Sequence, residues 1–278
     1  MLNTRQKCLL YFIKRSKECS KLKLAKVLFL AKEEGGIEKG FKFYSFVPYR
    51  FGPYSFEMFN DIDNLEDEKL LIADENMVSY FKGSVELRPD IQKPLNRLFN
   101  ETRMMNEGEL MNYVYNKYPD YTILSEIESK KKYVKDKMGV FTVGYEGLSI
   151  DEFLMMLIRE KVHVLIDIRK NPWSMKFGFK KYGLRSLCER VGVEYMGFTS
   201  LGIPRELRKN LSSKKDYELL FKNYKTVLAE REKELDILSQ MAKRKRIALM
   251  CFEKDPNYCH RSVLAEELRS RGSRVEIN

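Results

Sequence analysis

Val162-His163-Val164-Leu165-Ile166-Asp167-Ile168, running straight into Arg169-Lys170-Asn171-Pro172, decides the fold of the second half of this chain. An almost wholly apolar run of strand length, ending abruptly in charge and proline, is the pattern of a strand covered on both faces. Its neighbours repeat the alternation. Val140 to Tyr145 reads as a strand and Ser149 to Lys161 as a helix with Phe153, Leu154, Leu157 and Ile158 inward. Leu184 to Val191 is helical, Glu194 to Phe198 a third strand, and Asp216 to about Lys243 a long helical region. Arg246 to Cys251 is a fourth strand, Ser262 to Arg271 a helix, and Arg274 to Ile277 a last strand. Strands alternating with helices predict an open, mainly parallel α/β sheet over residues 139–278.

The first half is different. Thr4 to Lys14 spaces Cys8, Leu9, Tyr11 and Phe12 as one helical face. Ser20 is placed to cap a second helix with Leu24, Val27, Leu28 and Ala31 on a stripe, ended by Gly35-Gly36. A third helix from Ser55 to Glu68 buries Phe56, Phe59, Ile62 and Leu65. Leu70-Leu71-Ile72, a polar turn, and Val78 to Leu87 then read as a two-stranded ribbon around Lys82-Gly83. Three helices and a ribbon predict a winged helix-turn-helix with a helical extension over residues 1–125. The stretch Tyr49-Arg50-Phe51-Gly52-Pro53-Tyr54-Ser55 resembles the lead-in of winged-helix modules near the SocA-type antitoxin (Panacea) group. The charged segment 126–138, with Lys130-Lys131-Lys132, reads as a linker.

The 278 residues carry 51 basic and 40 acidic side chains, a net charge of +11. Residues 141–278 hold +8 of it, and Arg169 to Lys215 alone has 12 basic against three acidic. The first 32 residues are also basic, nine against one. Such charge fits a polyanion, with nucleic acid (DNA foremost) and a nucleotide-like or anionic small molecule as the expected partners. A 44% hydrophobic, 12% aromatic composition excludes a disordered chain. With no long uncharged apolar run and no apolar leader, a cytoplasmic protein without membrane association is expected. Five scattered cysteines argue for reduced thiols rather than a disulfide framework.

Three motifs fall at the carboxyl ends of expected strands, where open α/β sheets bind ligands. They are Gly144-Tyr145-Glu146-Gly147, Asp167-Ile168-Arg169 with Pro172 and Ser174, and Met250-Cys251-Phe252-Glu253-Lys254-Asp255-Pro256-Asn257-Tyr258-Cys259-His260-Arg261-Ser262. The same motifs in the same order identify residues 140–278 as similar to the family catalogued as domain of unknown function 488. That resemblance implies a fold and a site and leaves the reaction open. Asp167 and Arg169 beside a strand-end cysteine loop are also similar in topology to rhodanese-like domains, although the spacing from Cys251 to Arg261 exceeds the short loop of phosphatases.

Glu146, Asp167 and His260 are the candidate catalytic groups. Tyr145, Arg169, Trp173, Cys251, Glu253, Arg261 and Ser262 are expected to bind substrate, with Arg261 at a helix start as the anion clamp. Tyr145 and Trp173 could stack on a base, and Lys176, Lys180 and Lys181 surround Trp173. Asp167 with Arg169 reads alternatively as a self-satisfied ion pair. Cys251, Cys259 and His260 contain no CxxC pair and have no second cluster, so neither metal nor cofactor is expected. Cys8, Cys19 and Cys188 read as core. The expected function is an enzyme acting on a nucleotide, base or modified base. The alternative is a non-enzymatic, nucleotide-sensing regulator or defence component.

Overall fold

The computed structural model describes residues 2–38, 40–208, 211 and 213–278. The chain divides into two units, Met1–Tyr133 and Val134–Asn278.

The first unit opens with α1 (Thr4–Ser16), β1 (Glu18–Ser20) and α2 (Lys21–Glu33). Asn3 and Gln6 form a reciprocal capping box on α1, and the Ser20 hydroxyl accepts from Lys23 N to cap α2. A short hairpin of β2 (Val47–Tyr49) and β3 (Gly52–Tyr54) precedes α3 (Phe56–Asp67), capped by Ser55. Gly52 takes φ +84°, and a Cβ there would lie 2.7 Å from the Tyr115 ring. Next come β4 (Leu71–Ala73), β5 (Met77–Tyr80), α4 (Pro89–Thr102) and α5 (Glu107–Lys117).

The ribbon differs from expectation. The polar turn after Ile72 is Asp74 to Asn76, where the Asp74 carboxylate accepts from the backbone of Asn76 and Met77 at 2.8 and 2.7 Å, and Lys82-Gly83 lies beyond the ribbon. An aspartate that closes a turn on its own backbone outcompetes a later Lys-Gly pair. The strand therefore ends at Tyr80 rather than Leu87. β1 adds an antiparallel third strand, giving the order β1-β5-β4. This order of helices and strands is compatible with a winged helix. Residues 126–133, expected as linker, are tied to this unit: Glu126 N bonds Arg50 O, and Lys130 N bonds the Thr122 hydroxyl.

The second unit is an α/β domain. Its elements are β6 (Gly139–Gly144), α6 (Ile150–Arg159), β7 (Val164–Asp167), α7 (Lys181–Arg190), β8 (Glu194–Gly197), α8 (Lys214–Ala229), α9 (Glu232–Ala242), β9 (Arg246–Cys251), α10 (His260–Ser270) and β10 (Val275–Glu276). The sheet order is β10-β6-β9-β7-β8 with every pairing parallel. Val164, Ile166, Ile247 and Leu249 pack with α8, α9 and α10 on one face. The intervening Leu165, Ala248 and Met250 point the other way and are also buried, so both faces are covered. The expected long helical region from Asp216 to about Lys243 consists of two helices separated at Glu230-Arg231, with the α8 end closed by short bonds back to Val227 and Leu228.

Register positions the site. Gly144 pairs with Cys251 across β6 and β9, while Asp167 pairs with Met250 and with Gly197. Connections leave β6 and β7 in one direction along the sheet and β9 in the other. Right-handed crossovers then send the following helices to opposite faces, which opens a crevice at the strand ends.

Candidate functional site

A cavity of about 270 Å³ lies at those carboxyl ends. Tyr145 comes from the end of β6, Arg169, Lys170, Asn171, Trp173 and Ser174 from the segment after β7, and Cys251 and Phe252 from the end of β9. Ile203, Arg208 and His260 complete the wall. Convergence of three strand ends is therefore what brings residues over a hundred positions apart together.

Among the expected site residues, Tyr145, Arg169, Trp173, Cys251 and His260 line this cavity. Asp167 does not. Its carboxylate is buried at 1% exposure and accepts from Arg169 Nε at 2.9 Å, Arg169 Nη2 at 2.6 Å and the Tyr195 hydroxyl at 2.7 Å. The self-satisfied pair is the arrangement found, with the Asp167 oxygens engaged by Arg169 and Tyr195 and away from the cavity lining. Arg169 also donates Nη1 to the Tyr145 hydroxyl and to Phe179 O, both at 3.0 Å. Burial alone would lower the Arg169 pKa, but the bond and charge of Asp167 outweigh it and raise the pKa.

Glu146 is exposed, and its carboxylate accepts from Lys254 N at 2.9 Å, so it ties the loop after β9 to the end of β6. Arg261, expected as an anion clamp, is fully buried and does not line the cavity. Its Nη1 donates to Glu253 O, and its Nη2 donates to Lys254 O at 2.7 Å and Asn278 O at 3.0 Å. Both terminal nitrogens of the fork are taken by backbone oxygens, while Nε is buried with no partner. Ser262 likewise turns its hydroxyl back to Cys259 O at 2.8 Å. Tyr145 is not an open stacking platform, because Phe179 already stacks on it at 4.3 Å and 12°. Trp173 is open, at 60% exposure.

The reactive groups gather around Cys251 and His260 in the cavity wall. The Cys251 thiol donates to Glu253 Oε2 at 3.0 Å and lies 3.7 Å from His260 Nδ1. His260 Nε2 sits 3.3 Å from Ile168 O, and the imidazole packs edge-on against Tyr224 at 5.4 Å. A carbonyl accepts only from N–H, so this contact assigns the proton to Nε2 and leaves the Nδ1 lone pair facing Cys251. Burial pushes the Glu253 carboxyl up, but hydrogen bonds from Cys251 and Cys259 outweigh it and hold it below the usual range. Burial, then the Cys251 neighbour, pushes the Cys259 thiol well up. Arg208, 3.5 Å from Glu253, supplies a cation that spacing arguments missed. It lies in a short 3-10 turn with no periodic pattern to signal it.

Residues 149–268 match the family model described as Domain of unknown function DUF488. No curated protein and no solved structure matches the chain. The DUF488 match takes in Asp167, Arg169, Cys251, Glu253, Cys259, His260 and Arg261, and begins after Tyr145 and Glu146. Cys8, Cys19 and Cys188 are buried, and His163 Nδ1 accepts from Arg246 N at 3.0 Å between two core strands. No described helix is long and apolar enough to cross a membrane.

Proposed function

We propose that the α/β unit binds an anionic, nucleotide-like molecule in the strand-end cavity and acts on it at the Cys251–Glu253–His260 cluster. The observation that carries this reading is the pairing of an exposed indole, Trp173, and the cations Lys170 and Arg208 with the buried Cys251 thiol and His260 imidazole in one cavity, and a half-buried carboxylate, Glu253, 3.0 Å from that thiol. An aromatic rim favours a base or sugar, and the cations favour a phosphate. A carboxylate and an imidazole in hydrogen-bond range of one thiol can move a proton at the bond broken.

Trp173 is the only tryptophan in the chain, so its fluorescence reports the cavity directly. Titration with nucleosides, nucleotides and short oligonucleotides should quench it saturably, and incubation followed by mass spectrometry should show product. His260→Asn should abolish turnover. An unchanged emission with every compound would end the cavity reading.

The sensor reading has an observation of its own. Asp167 and Arg261, the two strongest charged candidates, are engaged in holding loops, and neither reaches the cavity. Saturable quenching without product, independent of His260, would decide for a nucleotide-sensing regulator.

Nucleic-acid binding by the first unit is part of the same proposal, with one constraint on the surface. α3, which would enter the groove in a winged helix, carries Glu57, Asp61, Asp63, Glu66 and Asp67 and no basic residue. Acidic side chains repel phosphates. Support for a contact comes instead from exposed Lys14, Arg15 and Lys17 at the end of α1 and from Lys82 after β5. Lys209, part of the basic stretch of the second unit, lies outside the described residues. A Lys14→Ala/Lys17→Ala/Lys82→Ala chain should bind duplex DNA more weakly, with the salt slope reduced by roughly one for each phosphate no longer neutralised. Equal binding and slope would exclude this face.

A further inference from the structure

The cluster around Cys251 and His260 holds more sulfur than a proton relay needs. One Sγ each from Cys251 and Cys259 and one ring nitrogen of His260 all lie within 4.8 Å of one another, and all three residues are buried. Glu253 Oε2 is 3.0 Å from Cys251 Sγ, which places a carboxylate beside the three-residue cluster. We propose that Cys251, Cys259, His260 and Glu253 form a tetrahedral zinc site, with ligand atoms Sγ, Sγ, Nδ1 and a carboxylate oxygen.

Four observations support it. First, the donor set is two thiolates, an imidazole and a carboxylate, which selects a borderline-soft, four-coordinate ion such as zinc. Ligands about 2.0–2.3 Å from such an ion stand roughly 3.3–3.8 Å from each other. The Cys251–His260 separation of 3.7 Å is already that value, and the Cys251–Glu253 separation of 3.0 Å needs only a small opening.

Second, the imidazole is already in the ligand tautomer. Ile168 O holds the proton on Nε2, so Nδ1 offers its lone pair toward the sulfurs. Outer partners of this kind orient metal-binding histidines.

Third, the four donors are fixed by a ten-residue segment anchored at both ends. Cys251 closes β9, and Cys259 and His260 open α10. Between them the Asp255-Pro256 turn is locked by the Asp255 carboxylate on Asn257 N at 2.8 Å. Arg261 holds the carbonyls of Glu253 and Lys254, which keeps the loop folded over the cluster. Cys259 is the N-cap residue of α10 and makes no side-chain cap bond, which leaves its sulfur available to the cluster.

Fourth, the charge is balanced. Two thiolates and a carboxylate on a divalent ion leave one negative charge, and Arg208 stands 3.5 Å from Glu253. Binding replaces the thiol protons by the ion, with no oxidation or reduction. The expectation of no metal rested on the absence of a CxxC pair. The spacing here is Cys-x-Glu-x5-Cys-His, and the sulfurs meet because strand end and helix start are neighbours in space.

With zinc bound, Cys251, Glu253 and His260 hold the ion instead of moving a proton themselves, so the two readings are separable and the test reads the metal alone. The full chain, purified under reducing conditions, should contain one zinc per molecule. After exchange, cobalt(II) should show tetrahedral ligand-field bands and an intense sulfur-to-cobalt charge-transfer band. Cys259→Ser should roughly halve the charge-transfer intensity and weaken binding beyond the roughly 10–100-fold of an outer-shell change. Cys188→Ser, a buried thiol elsewhere, should leave both unchanged. A folded wild-type chain that takes up no zinc, or a cobalt spectrum without thiolate character, would overturn the assignment. So would undiminished charge-transfer intensity in Cys259→Ser. The wild-type spectrum decides even where the serine variant fails to fold.

Discussion

Arg169 closes a two-point bond on Asp167, only two residues before it, with Nε and Nη2 at 2.9 and 2.6 Å from the two carboxylate oxygens. Both side chains are buried, so the pair is a fixed part of the sheet end rather than a substrate grip. It holds Tyr145 and Tyr195 as well, and through them the carboxyl end of β6 and strand β8. Asp167→Asn leaves a buried guanidinium without its counter-charge. The expected cost is about 3–5 kcal/mol, read as a fall in the urea midpoint. If turnover is found, its loss in this variant should track the unfolded fraction and recover at lower temperature.

Gly144 explains the first motif in a way that only the structure reveals. A Cβ there would lie 1.8 Å from the Glu253 carbonyl oxygen, a backbone atom that cannot swing aside. Gly144→Ala must therefore push the loop after β9 outward, together with Glu253. A destabilisation of about 1–3 kcal/mol is expected from the overpacking. Zinc or cobalt binding should weaken in parallel, because the carboxylate moves away from the thiols. Thermal melts with and without metal would check both effects.

How much of this was legible follows the range of the interaction. β7 and β9 are apolar runs ending in charge, and Ser20, Ser55 and Ser149 sit where caps belong, so strands and helix starts could be read locally. β1 could not. Glu18-Cys19-Ser20 has no alternating pattern and becomes a strand because β5 offers it an edge. The break between α8 and α9 has no glycine or proline to announce it. Convergence of the three motifs was legible because strand ends gather in a parallel sheet. The roles within that gathering were not. Whether Arg261 meets a ligand or three carbonyls depends on Glu253, Lys254 and Asn278 arriving beside it, which no local pattern encodes.

Arg261 gives the third expected outcome. Arg261→Ala would leave the carbonyls of Glu253, Lys254 and Asn278 without this donor inside the protein. Each buried carbonyl left unsatisfied costs about 1–3 kcal/mol unless water reaches it. The loop after β9 should then open, seen as faster amide exchange at Cys259, whose N bonds Pro256 O. A clamp for a ligand would instead lose affinity with exchange unchanged.

The last expectation concerns Lys26, in the core of the first unit at 2% exposure. Its ammonium donates to Pro53 O at 3.0 Å, and no carboxylate among the described residues offsets the burial, which lowers its pKa from 10.5 to about 7. The unfolded chain therefore holds a proton that the folded chain has lost between pH 7 and 10.5. By linkage, this group makes stability rise with pH across that window, and its penalty is fully present below pH 7. Lys26→Met removes the charge and keeps the shape, at the cost of one hydrogen bond to Pro53 O. The variant should be the more stable at pH 7, and its advantage should shrink toward pH 10 by on the order of 3 kcal/mol. Urea denaturation of both chains at pH 6, 7, 8.5 and 10 measures the difference directly. A constant gap across that series would mean that Lys26 keeps its ordinary pKa, with solvent or an anion reaching it inside the core.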